Sequence, residues 1–99
     1  MPHLSREQVI AIVSKAITDS LLLSGRPVPN EIAATTKVIG EIEGFDSPAG
    51  VDVTVDLELQ LGIGLPHNVF VKTVNGRPRA RTLNEVVDVL CRMLGAKES

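Results

Sequence analysis

The chain reads as all-α, a small bundle of three main helices and one short helix with a long first loop, and three observations carry that reading. Ser5-Arg6-Glu7-Gln8 and Thr82-Leu83-Asn84-Glu85 are capping-box signatures, and each opens a run of apolar residues at helical spacing. Between them, Asp46-Ser47-Pro48 launches a third apolar run that stops at Gly62. The 99 residues suit one domain, residues 1–99, with one modest core. Phe45 and Phe70 are the only aromatic residues, so Val, Ile and Leu must build that core. A single cysteine rules out an internal disulfide and a cysteine-rich zinc site.

The first box is followed by Val9, Ile10, Val13, Ala16, Ile17 and Leu21, one stripe that leaves Arg6, Lys15 and Asp19 outside it. A helix over about residues 6–22 is expected, ended by Ser24-Gly25 and the prolines at 27 and 29. Residues 24–46 form a long connection, with one short helical turn at 30–34. Ser47 is the expected N-cap of the next helix, with Pro48 at its first position and Asp46 adding negative charge where the helix dipole is positive. That helix spans about 48–61 and is apolar on two sides. Val53, Leu57 and Leu61 share one face with Thr54 at its edge, and Val51, Val55 and Leu59 share nearly the opposite one. Asp52, Asp56 and Gln60 lie on one flank between the stripes and Glu58 on the other. Such a helix is either buried centrally or keeps one stripe for a partner.

After a loop, residues 68–72 are expected to make the short third helix, although Val69, Phe70 and Val71 are weak helix formers. Asn75-Gly76 predicts a tight turn. Arg77, Arg79 and Arg81 around Pro78 suggest a solvated loop, with phosphate contact as the other reading. The last helix is expected over 83–94, burying Leu83, Val86, Val87, Leu90 and Leu94, with Gly95 at the C′ position and residues 96–99 frayed.

The run Asp46-Ser47, then Val51, Asp52, Leu57, Glu58 and Gly62-Ile63 through Leu65-Pro66, resembles an acyl carrier protein, in register and without a gap. In that family a Gly-x-Asp-Ser-Leu sequence opens the second helix, and its serine carries a 4′-phosphopantetheine arm. The resemblance implies that Ser47 is the attachment point and that the arm comes covalently from coenzyme A. It implies a phosphopantetheinyl transferase as one partner, and acyl-transferring or acyl-modifying enzymes of fatty acid, polyketide or lipid biosynthesis as others. By resemblance Val51 and Val55 map onto positions that carriers show to those enzymes, and the charges of Asp46, Asp52, Asp56 and Glu58 are expected to add a negative rim that attracts basic partner surfaces. The long first loop of the family lies across the bundle on apolar anchors, here Ile32, Val38, Ile39, Ile42 and Phe45. Pro48 departs from the family, standing where Leu is usual. With Ala49, Gly50 and the arginine tract, it points to a specialised, free-standing member. The acidic residue before the serine favours an acyl carrier over the peptidyl carriers, which usually have histidine there.

Other chemistry finds little footing. Ser47 has no sequence-evident base, since His3 is near the terminus and His67 lies in a loop, and no Gly-x-Ser-x-Gly elbow surrounds it. Cys91 falls at the edge of an apolar stripe and reads as a small core residue. Asp46, Asp52, Asp56 and Glu58 lack the alternating oxygen-ligand loop of a calcium site, and Gly62-x-Gly64 lacks the rest of a nucleotide loop. No catalytic residues, metal or enzyme activity are therefore expected. A formal net charge of −2 and two aromatics argue against nucleic acid. No stretch is long and apolar enough for a membrane span, and the first residues do not resemble a signal peptide. The expectation is a cytoplasmic monomer. The alternative is an unmodified helical interaction module in which Ser47 is only a cap.

Overall fold

A computed structural model describes residues 4–98, with side chains to residue 95. His3 therefore lies outside the described residues, as do the side chains of the segment expected to fray. The order of elements is α1 (Arg6–Leu23), α2 (Val38–Glu41), α3 (Ser47–Leu61), β1 (Val71–Val74), β2 (Arg77–Ala80) and α4 (Leu83–Glu98). The fold is mostly helical, with α1 packed against both α3 and α4. A two-stranded antiparallel sheet stands where the short third helix of an all-α bundle was expected.

Helix α1 starts as its capping box dictates. The Gln8 N–H donates to Ser5 Oγ at 3.2 Å, and the Ser5 N–H donates to Gln8 Oε1 at 2.7 Å. Its apolar stripe is buried at Val9, Val13, Ala16, Ile17 and Leu21. The second box forms as well, with the Thr82 N–H on Glu85 Oε1 at 2.9 Å and the Glu85 N–H on Thr82 Oγ1 at 3.2 Å. Lys72 of β1 forms a salt bridge to the same Glu85 carboxylate. That bond first, and then the Thr82 N–H, hold the Glu85 carboxyl below its ordinary pKa. Arg6 reaches across to α4, pairing with Asp88 at 2.7 Å and donating to the Asn84 side chain.

The long connection is fixed by what α4 lacks. The first N–H groups of a helix have no partner inside it. Here Leu83 N–H donates to Thr36 O and Asn84 N–H to Ala34 O, both at 2.9 Å. The loop is thus stitched to the start of α4, and its anchors Val38, Ile42 and Phe45 drop into the core while Ile32 and Ile39 pack half-buried against it. The helical turn expected at 30–34 falls instead at α2. Even there Ile39 and Gly40 leave helical geometry, Gly40 with φ 111°, so that Val38 and Ile42 can both point inward.

The expected third helix over 68–72 is replaced by a turn and a strand. Val69 and Phe70 are both fully buried, and Phe70 meets Phe45 edge-on with centroids 5.2 Å apart. Val71 then pairs with Ala80, and Val74 with Arg77. Between the strands, Asn75 (φ 52°) and Gly76 (φ 75°) are both left-handed. Two such residues match the twist of a tight hairpin, so the predicted turn is present and decides the hairpin around it. The arginine tract is therefore strand β2 and the residue after it rather than a free loop, with Pro78 tolerated because the sheet has only two strands.

Gly95 was expected to end α4, but the helix continues through Glu98. Gly95 has no positive φ, and a Cβ there would meet nothing within 4 Å. Glycine inside a helix costs about 0.5–1 kcal/mol relative to alanine. Gly95→Ala should therefore raise stability by about that amount in urea unfolding. A drop in the midpoint would mean that the helix ends at this residue in solution.

Candidate functional site

The site is the first turn of α3 together with the chain that crosses it. Asp46, not Ser47, is the N-cap: it is extended (φ −101°, ψ −175°), and its Oδ1 accepts from Ala49 N at 3.0 Å. Aspartate caps as well as serine does, and its charge also suits the helix dipole. Ser47 thereby becomes the first helical residue with Pro48 after it. Its exposed side chain is released from the capping duty expected of it. At the far end Gly62, left-handed at φ 64°, closes the helix with its N–H on Glu58 O at 2.8 Å.

What holds the start of α3 in place comes from residues 68–70. The Asn68 side-chain amide donates to Ser47 O at 3.2 Å and to Ser47 Oγ at 3.4 Å. One helical turn on, Gly50 leaves the space that this amide fills, since a Cβ there would lie 2.7 Å from Asn68 Oδ1. One turn further, the buried Thr54 hydroxyl accepts from Val69 N at 3.0 Å and donates to Gly50 O at 2.7 Å. Positions 47, 50 and 54 share one face of the helix, so the crossing segment is fastened along it.

The predicted partner face is split by the structure. Val53, Leu57 and Leu61 are buried together with Thr54, as their spacing requires. Val55 is 49% exposed and Leu59 79%, so the second stripe is open, while Val51 is half-buried. Asp52 and Asp56 are exposed beside that stripe, with Gln60 donating to Asp56. Glu58 is tied instead to the loop after α3, accepting from Leu65 N at 2.9 Å, and Asp46 has one oxygen in the cap. A groove of about 440 Å³ between α1 and α3 is lined by Asp19, Leu23, Asp52, Val53 and Asp56 among others. Leu23, which lines it from α1, is 89% exposed, and its neighbour Leu22 is 62% exposed. A second depression, of about 320 Å³, adjoins Ser47 and runs under Ile39, Gly40 and Phe45.

Asn68, Gly50 and Thr54 were not singled out by the sequence as site residues. Thr54 carried the clearest signal, as the one polar residue at the edge of a buried stripe. His67 is exposed, and it is its neighbour Asn68 that meets Ser47. Cys91 is half-buried and packs against the core. Among the described residues no three His, Cys, Asp or Glu side chains are grouped to hold a metal ion, and no helix is long and apolar enough to cross a membrane.

No family model, curated protein or solved structure matches the chain.

The two faces of α3 should respond differently to truncation. Leu57→Ala should cost about 2–5 kcal/mol through lost burial and a residual cavity. Val55→Ala should change stability by less than about 0.5 kcal/mol, since it removes exposed surface and leaves a better helix former. Urea unfolding of both variants makes the comparison, and equal losses would mean that the Val55 stripe is covered in solution.

Proposed function

We propose that this chain is an acyl-carrier-like protein in which Ser47 accepts a 4′-phosphopantetheine arm from coenzyme A. The observation that carries the reading is the state of Ser47. It is exposed, it opens a 15-residue helix, and the capping work is done by Asp46. A phosphodiester on that oxygen would sit at the positive end of the helix dipole, which favours an anion by about 0.3–1 kcal/mol. The resemblance of Asp46 through Pro66 to the carrier motif adds the identity of the group.

In loading, Ser47 Oγ attacks the phosphorus that bears the pantetheine in coenzyme A. A Ser47 O–P bond forms, the P–O bond within the pyrophosphate breaks, and adenosine 3′,5′-bisphosphate leaves. The hydroxyl proton passes to a base of the phosphopantetheinyl transferase. The arm supplies a thiol that holds an acyl group as a thioester, so the protein itself is not an enzyme. The chain's own residues present the serine and meet partners. Exposed Val55 and Leu59 offer apolar contact, and Asp52 and Asp56 beside them favour basic surfaces, chiefly through association rate and salt dependence. Pro48, Ala49, Gly50 and the arginine tract, which depart from the family's usual residues, favour a specialised rather than a housekeeping carrier.

The second reading is an unmodified interaction module. It is favoured by the same open stripe and by Leu22 and Leu23, which a partner could cover without any arm.

Incubation with coenzyme A and a broad-specificity transferase should raise the intact mass by one phosphopantetheinyl group, and Ser47→Ala should abolish the increase. An unchanged mass across several transferases would overturn the carrier reading and leave the interaction module.

A further inference from the structure

Asn68 is joined to the start of α3 across 21 residues of chain, and its amide can be oriented without ambiguity. The Phe70 N–H lies 3.1 Å from one end of that amide. A backbone N–H can only donate, so that end must be the carbonyl Oδ1. The NH₂ group therefore faces Ser47, where it has two acceptors, the Ser47 carbonyl at 3.2 Å and the Ser47 hydroxyl oxygen at 3.4 Å. The backbone that carries it is held on both sides of the side chain. Val71 N–H donates to Asn68 O at 3.1 Å, and Val69 N–H is fixed on Thr54. Beneath it Gly50 leaves room for the amide, which a Cβ there would meet at 2.7 Å.

We propose that Asn68 is a positioning residue for the loading of Ser47, a role that rests on the carrier reading above. A serine hydroxyl has one hydrogen to donate and two lone pairs to accept with. Asn68 occupies one lone pair. Among the described residues no protein acceptor takes the hydroxyl hydrogen. The O–H is then presented outward, where a partner's base can remove it, and the remaining lone pair is available to form the O–P bond. The same contact restrains Ser47 to one side-chain rotamer, so less freedom is lost when the hydroxyl meets the phosphorus. Proton, new bond and leaving group are those of the loading step already described. Asn68 itself gains and loses nothing. It acts through Ser47.

Two variants separate this role from a structural one. Asn68→Asp keeps the size of the side chain and the oxygen that accepts from Phe70 N–H, but replaces the donor with an acceptor facing Ser47. The hydroxyl would then donate inward to the carboxylate, and the new charge would oppose the incoming phosphate. Asn68→Ala removes everything, including the Phe70 contact. If Asn68 were only structural, alanine would be the more damaging change. Positioning predicts the reverse order for kcat of loading: wild type fastest, Asn68→Ala slower by about threefold to tenfold, Asn68→Asp slower by more than about tenfold, with KM for coenzyme A unchanged. A second readout needs no folded variant at position 68. The Asn68 side-chain NH₂ resonances of the intact protein should shift on Ser47→Ala and shift again when wild type is loaded.

Wild-type rates in Asn68→Asp, or alanine as the slower variant, would overturn the positioning role while leaving the carrier reading intact. So would NH₂ resonances that ignore Ser47→Ala. If wild type is never loaded, both the reading and the role fall together.

Discussion

The hydroxyl of Thr54 carries two hydrogen bonds in the core, and the arrangement around Ser47 depends on them. It donates back to Gly50 O within α3 and accepts from Val69 N of the crossing segment. Without it, a backbone N–H would be buried against helix and core with no partner, at a cost of about 1–3 kcal/mol. That single contact sets the height at which residues 68–70 cross α3. From it follow the burial of Val69 and Phe70, the edge-on contact of Phe70 with Phe45, and the reach of Asn68 to Ser47. The hairpin begins immediately afterwards, with Arg81 N–H returning to Phe70 O at 2.8 Å to close the loop.

The crossing segment also gives the two sides of α3 their different fates. One side meets α1, the crossing chain and the core through Val53, Thr54, Leu57 and Leu61. The other faces solvent with Val55 and Leu59. Packing at 68–70 takes up the buried face, and nothing among the described residues covers the exposed one. The helix is thus anchored through one face while its first residue and its second stripe stay on the surface. An attachment point needs this combination, since the serine must be reachable and yet must not move with a loose terminus.

Much of this was legible because it is local. Capping boxes span three residues, and helical stripes repeat within a few turns, so α1, the start of α4 and both faces of α3 follow from neighbouring positions. The cap of α3 slipped by one residue because Asp46 and Ser47 are equally good caps and proline fits either of the first two helical positions. Gly95 carries a stop signal that no left-handed backbone uses. The hairpin was half visible. Asn75-Gly76 announced the turn, but Val69-Phe70-Val71 is too short to show a period, and Arg77–Ala80, with proline and arginines, has no strand signature of its own. The contacts of Asn68 and Thr54 join residues 21 and 15 positions apart, and no pattern along the chain reports them.

The most direct check on this account is native-state hydrogen exchange at the Val69 amide. If that amide is bound to Thr54 in a buried setting, it should exchange as slowly as the protected amides of α3, although it belongs to no helix or strand. Thr54→Val, which keeps the shape and removes the acceptor, should bring it to the rate of a loop amide while the centre of α1 stays protected. A Val69 amide that already exchanges at loop rates in the unaltered protein would contradict the account, because the crossing segment would then not be fastened to α3 at Thr54.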